Sequence, residues 1–211
     1  SQNVFTIPGN QAYCLPNGLA AEGDWSGASF FLCAGVLSET GIFASGLQET
    51  SRQADRAVLE LLSRFGAEVR AETGGVFVRK SSLHGIDIDA GAIPDLIPAI
   101  AAVAAYAEGE TNITNAARLR LKESDRLHTV AETIKSLGGQ AKELPDGLVI
   151  TGTPRLTGGT ADSFGDHRIA MLAAVLAGGC REPVTVLGAQ CTSKSYPEFW
   201  KTLDHLKGEP T

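Results

Sequence analysis

Three long runs of small and apolar residues recur along the chain at a constant interval. Each run follows an aspartate, and the three aspartates, Asp24, Asp95 and Asp166, lie 71 residues apart. The runs have no polar face, which is typical of a helix buried on all sides. We therefore predict three buried helices, each with a carboxylate at its start: WSGASFFLCAGVL, LIPAIAAVAAYA and HRIAMLAAVLAG.

An extended segment and a second helix follow each buried helix. The extended segments are TGIFASGL, GETNITNA and EPVTVLGA. In the second helices apolar residues recur at three- and four-residue steps and a glycine ends the pattern; these helices are QADRAVLELLSRFG, SDRLHTVAETIKSLGG and YPEFWKTLDHLKG. The first two copies then close with a predicted hairpin, with Gly-Gly and Asp-Gly at the turns.

Each unit therefore contains strand, helix, strand, helix and two strands, a βαβαββ order. Three units around a pseudo-threefold axis predict one α/β (α+β) domain with buried helices and outer sheets. We place the units at about 19–88, 89–159 and 160–211. Residues 1–18 include a candidate strand, NVFTIPG, and are predicted to belong to a partner domain or to the connection with it.

Composition and charge exclude several classes of protein. Of the 211 residues, 43% are hydrophobic and 20% charged, which is typical of a globular chain that needs no disulfide to fold. Four cysteines without a CxxC spacing indicate reduced thiols in the cytoplasm. A net charge of −6 argues against a nucleic-acid partner, and the sequence predicts neither a membrane span nor a secretory signal.

The charged residues suggest a site at the starts of the helices. Arg52, Glu123 and Lys194 are again 71 residues apart, so one position of the repeat holds a cation, a carboxylate and a cation. Arg126 and Arg168 lie in the first turns of predicted helices, where backbone N–H groups also attract anions. Together with Lys122 and Asp95, these residues predict a site that binds small anions and transfers protons.

Simpler interpretations remain open for each of these residues. The three aspartates are explained by helix capping alone, and KESDR at 122–126 by a solvated helix start. Asp95 differs because the apolar residues of IPDLIPAI surround it, which would raise its pKa and make it a base. His128 and Glu132 have the spacing of metal ligands, but no third ligand is evident, so no metal site is predicted.

Five stretches of the chain resemble the family of 5-enolpyruvylshikimate-3-phosphate (EPSP) synthases. They are AEGDWSGASFFL, IPDLIPAIAA, RLRLKESDRL, GDHRIAM and CTSKSYPEFW. The resemblance implies transfer of enolpyruvyl from phosphoenolpyruvate to the 5-hydroxyl of shikimate 3-phosphate, with release of phosphate and without a cofactor. Family members have two domains of three units each, with the site between them, so this chain resembles the C-terminal half. We expect the half by itself to fold but not to turn over.

The resemblance also implies roles for individual residues. Asp95 matches the residue that binds the shikimate hydroxyls and accepts a proton. Glu123 and Lys194 match the groups that transfer a proton to the methylene carbon of phosphoenolpyruvate. The residues matched to phosphoenolpyruvate binding are Arg126, Arg168 and Lys194, and the residue matched to shikimate 3-phosphate is Lys122.

Two other functions remain as alternatives. The first is a domain of the enolpyruvyltransferase that acts on UDP-N-acetylglucosamine, which shares the fold but not the trio KESDRL, DHRIAM and SKSYPEF. The second is a non-catalytic module with the same repeat. The sequence favours the EPSP synthase family over both alternatives, because the trio KESDRL, DHRIAM and SKSYPEF is specific to that family.

Overall fold

The computed structural model describes residues 4–15, 17–18 and 20–206. At the centre of these residues lie three helices, α1 (Trp25–Gly35), α3 (Ile97–Ala104) and α5 (His167–Ala177). Each packs on the other two. All eight residues of α3 are buried, because alanine, proline and branched apolar side chains cover its whole circumference. The three apolar runs of the sequence are thus the core helices, as predicted.

A second set of helices lies around this core. It consists of α2 (Val58–Arg64), α4 (Arg126–Ser136) and α6 (Phe199–Leu206). Short 3₁₀ helices precede α2, α3, α4 and α6: Ala54–Ala57, Pro94–Leu96, Ala117–Leu121 and Ala189–Lys194. The second contains Asp95 and the fourth contains Lys194. In the described part of the chain, no helix is long and apolar enough to cross a membrane. The glycine predicted to end α6, Gly208, lies outside the described residues.

The described residues form three sheets of unequal size, built from nine strands: β1 (Ile42–Ser45), β2 (Glu68–Glu72), β3 (Gly75–Arg79), β4 (Asp87–Asp89), β5 (Glu110–Thr114), β6 (Gln140–Leu144), β7 (Gly147–Thr151), β8 (Gly159–Asp162) and β9 (Val184–Leu187). The first sheet has the order β1–β3–β2 and is antiparallel. The second has the order β4–β5–β7–β6, in which only β4 and β5 are parallel. The third is the parallel pair β8–β9.

Only the middle unit shows the full βαβαββ order in the described residues. There, β4 and β5 alternate with α3 and α4, and the hairpin β6–β7 completes the sheet. The first unit has no strand before α1 in the described part of the chain, and the third has no hairpin after α6. The α/β architecture with central helices agrees with the prediction, whereas the unit boundaries stay a prediction.

Two local predictions were wrong. Residues 4–9 of the candidate strand NVFTIPG are not in a strand, because no neighbouring strand pairs with them; Asn3 lies outside the described residues. Both hairpin turns are also one residue earlier than expected, at 73–74 and 145–146. Gly147 is therefore a strand residue, and a Cβ there would collide with the carbonyl oxygen of Ile113 on β5.

Candidate active site

The first residue of α4, Arg126, lies at the centre of a cluster of charged side chains. Its side chain is 1% exposed, and three carboxylates surround its guanidinium group. Nη1 donates to Asp95 at 2.8 Å, Nη2 to Glu123 at 2.7 Å, and Nε to Asp166 at 2.8 Å. A buried guanidinium requires such partners, since an isolated charge in the interior is very costly.

Asp95 lies within the 3₁₀ helix Pro94–Leu96, and its side chain caps no helix. Its carboxylate therefore remains available to the cations around it. Lys122 Nζ lies 3.0 Å from Oδ1, Arg126 Nη1 lies 2.8 Å from it, and Arg168 Nε lies 3.9 Å from it. Arg168 Nη1 also donates to the backbone oxygen of Asp95 at 3.0 Å. Asp95 is thus the anionic partner of Arg168.

Glu123 and Lys194 lie 71 residues apart in the sequence, and their side chains meet in this cluster. Lys194 is the last residue of the 3₁₀ helix Ala189–Lys194, and its Nζ donates to Glu123 Oε1 at 2.8 Å. Glu123 bonds Arg126 through its other oxygen. Arg52, the third member of this position in the repeat, is exposed. The structure therefore brings together six residues of the predicted site, which we call the rim: Asp95, Lys122, Glu123, Arg126, Arg168 and Lys194.

The protonation state of Asp95 differs from the expectation. Partial burial does favour the neutral form, as its apolar neighbours suggested. The hydrogen bond from Lys122 and the charges of Arg168, Lys122 and Arg126 outweigh burial, so the pKa of Asp95 is lowered rather than raised. Asp95 is therefore ionised at neutral pH.

Glu123 is held in its ionised form even more strongly. The hydrogen bond from Lys194 is the largest cause, and the charges of Arg126 and Lys194 add to it against the effect of partial burial. Together they lower the pKa of Glu123 to about 2. The rim thus carries ionised carboxylates directly beside cations that an anionic ligand can also bind.

Sequence reasoning missed the full role of Asp166. Beyond capping α5 through the backbone N–H of Arg168, it is completely buried and bonds the side chains of Arg126 and Ser124. The signal in the sequence is that Asp166 leads directly into the apolar run HRIAMLAAVLAG, which places its carboxylate at the start of a buried helix. The pairing could not be found from spacing, because Asp166 and Arg126 are 40 residues apart.

A buried histidine next to this aspartate was also missed. His167 is 5% exposed, and its Nδ1 makes no hydrogen bond within the described residues. Burial is the largest cause that lowers its pKa, so the ring is neutral at pH 7. The pair His128 and Glu132 does not come together: His128 faces Glu143 at 3.1 Å, and Glu132 pairs with Lys135.

Comparisons with known proteins agree on one family. The family model described as EPSP synthase (3-phosphoshikimate 1-carboxyvinyltransferase) matches residues 1–203. A protein named 3-phosphoshikimate 1-carboxyvinyltransferase from Clostridium acetobutylicum is 45% identical over 97% of this chain and 47% of its own length. A protein of the same name from Methanocaldococcus jannaschii is 38% identical over 98% of this chain and 48% of its own length.

Solved structures give the same result for the fold. An EPSP synthase from Acinetobacter baumannii superposes with a TM-score of 0.74 at 30% identity, over 89% of this chain and 46% of that one. The enolpyruvyl transferase NikO from Streptomyces tendae shares the fold, with a TM-score of 0.73 at 22% identity, over 88% of this chain and 43% of its own. This chain spans about half the length of the curated relatives that it matches. On the family match and the identity to these relatives, the chain belongs to the EPSP synthase family.

Proposed function

We propose that this chain supplies one half of an active site that transfers the enolpyruvyl group of phosphoenolpyruvate to the 5-hydroxyl of shikimate 3-phosphate and releases phosphate. The observation that carries the proposal is the rim itself. Four cations, Lys122, Arg126, Arg168 and Lys194, surround the ionised carboxylates of Asp95 and Glu123. Both substrates are anions, and the addition of the hydroxyl to phosphoenolpyruvate requires two proton transfers, so this set of groups fits the reaction.

The cations have two tasks in this scheme. Arg126, Arg168 and Lys194 bind phosphoenolpyruvate, whose planar carboxylate suits the fork of an arginine. Lys122 binds the shikimate 3-phosphate. Holding both substrates in the geometry of attack removes most of the entropic cost of a reaction between two molecules.

Asp95, Glu123 and Lys194 carry out the proton transfers. Asp95 accepts the proton of the attacking 5-hydroxyl as the hydroxyl oxygen bonds to C2 of phosphoenolpyruvate, and the ammonium group of Lys194, which hydrogen-bonds ionised Glu123, gives a proton to the methylene carbon. When the bond from C2 to the phosphate oxygen then breaks, the resulting methyl group returns a proton to this pair, so the double bond forms again and phosphate leaves. Asp95 is a weak base because Lys122, Arg168 and Arg126 lower its pKa against the effect of partial burial. When substrate phosphate and carboxylate groups occupy those cations, Asp95 loses part of this stabilisation and its proton affinity rises. The scheme requires no metal or organic cofactor.

The other half of the site belongs to a partner, which we propose to be the family's other domain. Two observations support a partner: the chain spans about half the length of its relatives, and the pair β8–β9 leaves the apolar side chain of Leu187 49% exposed. We further propose a cytoplasmic location. The four cysteines, Cys14, Cys33, Cys180 and Cys191, are all free, which fits a reducing compartment.

A phosphate-release assay with both substrates tests the proposal. We expect no turnover from this chain alone and turnover from a protein in which it is joined to the family's other domain. In that protein, Asp95→Asn lowers kcat by about 10²- to 10⁴-fold with little change in melting temperature. Asp87→Asn is the matched control, because Asp87 is an exposed aspartate of β4 whose bond to Asn112 an asparagine can keep. Absence of turnover in the joined protein, or an unchanged kcat in Asp95→Asn, would contradict the proposal.

A further inference from the structure

The carboxylates around Arg126 differ in how deeply they are buried. On one side, Asp166 is 0% exposed and accepts from Nε at 2.8 Å and from Nη2 at 3.2 Å. On the other side, the side chains of Asp95 and Glu123 are 38% and 32% exposed. Asp95 and Glu123 can therefore turn toward solvent or substrate, whereas Asp166 has no such freedom.

Donors from two helix starts fix the carboxylate of Asp166. Its Oδ1 accepts from the backbone N–H of Arg168 at 2.9 Å, and its Oδ2 accepts from the hydroxyl of Ser124 at 3.0 Å. Arg126 supplies the remaining bonds. One buried side chain thus fixes the guanidinium of Arg126 and the backbone of Arg168, which come from different units of the repeat.

Helix capping does not explain this arrangement. Asp24 holds the equivalent place before α1, and its carboxylate accepts from the backbone N–H groups of Ser26 and Gly27. Asp24 is nevertheless exposed. A cap functions in this fold without burial and without an arginine partner, so the burial of Asp166 against Arg126 indicates a second task.

We propose that Asp166 is a positioning residue for phosphoenolpyruvate. Asp166 keeps its hydrogen bond with Nε of Arg126 when phosphoenolpyruvate binds. Nη1 then releases Asp95, Nη2 releases Glu123, and both nitrogens donate to the substrate carboxylate. The inference rests on the proposed function. Its physical reason is that a buried guanidinium needs a counter-charge that stays in place while its other partners exchange. Release of Asp95 and Glu123 on substrate binding also frees both carboxylates for proton transfer.

The first test is Asp166→Asn in the protein that joins this chain to the other domain. Asparagine caps helices as well as aspartate does, so the variant removes the negative charge that faces Arg126 and leaves the cap of α5. We expect KM for phosphoenolpyruvate to rise about 10- to 100-fold, as when other partners that orient a binding group are removed. KM for shikimate 3-phosphate should change less than about twofold, and kcat should fall less than KM rises.

The matched control is Asp24→Asn, the same change at the equivalent cap, which should leave both KM values unchanged. An unchanged KM for phosphoenolpyruvate in Asp166→Asn, or an equal rise in both KM values, would overturn the inference. Absence of turnover in the unmutated joined protein would instead contradict the proposed function, so the two failures are distinguishable.

A second measurement needs no change at Asp166 and therefore serves if Asp166→Asn does not fold. In the joined protein with ¹⁵N-labelled arginine, the Nε–H signal of Arg126 is assigned by its loss in Arg126→Lys. We expect this proton to exchange slowly with water before and after addition of phosphoenolpyruvate, while the Nη signals shift. An Nε–H that begins to exchange rapidly when phosphoenolpyruvate is added would overturn the inference.

Discussion

Asp24, Asp95 and Asp166 hold equivalent places in the repeat, yet their carboxylates lie in three different environments. Asp24 is an exposed cap, Asp95 is partly exposed among three cations, and Asp166 is buried against Arg126. The sequence identifies all three as helix starts. The sequence misjudges the pKa of Asp95. The apolar residues that raise this pKa are neighbours in the sequence, whereas the cations that lower it come from remote segments.

The low pKa of Glu123 predicts a pH dependence of stability. Since the folded-state pKa is about 2 and the ordinary value is 4.5, ionised Glu123 stabilises the folded protein fully above pH 4.5. This contribution is lost as the pH falls from 4.5 toward 2. We expect Glu123→Gln to lower the free energy of unfolding by about 1 kcal/mol at neutral pH, allowing for solvent screening, and by much less near pH 2.

Urea unfolding of both proteins at a series of pH values measures this difference. Glu132→Gln is the control, because Glu132 is an intermediate-exposure carboxylate of α4 whose partner, Lys135, lies on the same helix. A difference between wild type and Glu123→Gln that stays constant between pH 7 and pH 2 would show that the interaction with Lys194 and Arg126 does not set the pKa.

At the scale of elements, the hydrophobic pattern predicts helices better than turns. The core helices and α4 follow from apolar periodicity, which depends only on residues within one helix. The sequence predicts both hairpin turns one residue late, because the patterns Gly-Gly and Asp-Gly assign Gly75 and Gly147 to the turn. Gly147 instead lies on β7, where the approach of the Ile113 carbonyl oxygen on β5 leaves no room for a side chain.

This close approach predicts that Gly147→Ala is destabilising. The added methyl group must displace backbone rather than a flexible side chain, so we expect a loss of about 1–3 kcal/mol in the free energy of unfolding. Chemical denaturation measures the loss. Gly9→Ala is the control, since a Cβ at Gly9 meets nothing within 4 Å. Equal stabilities of Gly147→Ala and Gly9→Ala would contradict the register of β5 and β7.

At the scale of the whole molecule, the sheets differ in completeness. In the middle unit β5 pairs on both sides, with β4 and with β7. In the described residues β9, its equivalent in the third unit, pairs only with β8. An unpaired strand edge next to exposed apolar side chains is typical of a surface that another segment covers.

We therefore predict that joining the other domain protects β9 from hydrogen exchange. The amides of Val184–Leu187 that do not bond β8 should exchange rapidly in this chain alone and at least about tenfold more slowly in the joined protein, because a covered edge opens less often. Mass spectrometry of exchanged fragments measures the change. Strand β5 is the internal control, and equal exchange of β9 in both proteins would contradict a partner at this edge.

The sequence by itself determined the family, the α/β architecture and the end of the domain at which the charged residues gather. Hydrophobic periodicity and the 71-residue interval are local or repeated patterns, and both can be recognised without knowing which residues are in contact. Only the tertiary structure decided which carboxylate meets which cation, that Asp95 is ionised, and that Asp166 holds Arg126. The physical reason is that the energy of a charge depends on every neighbour within a few ångströms, and here those neighbours come from segments remote in sequence, such as Arg168, 73 residues from Asp95.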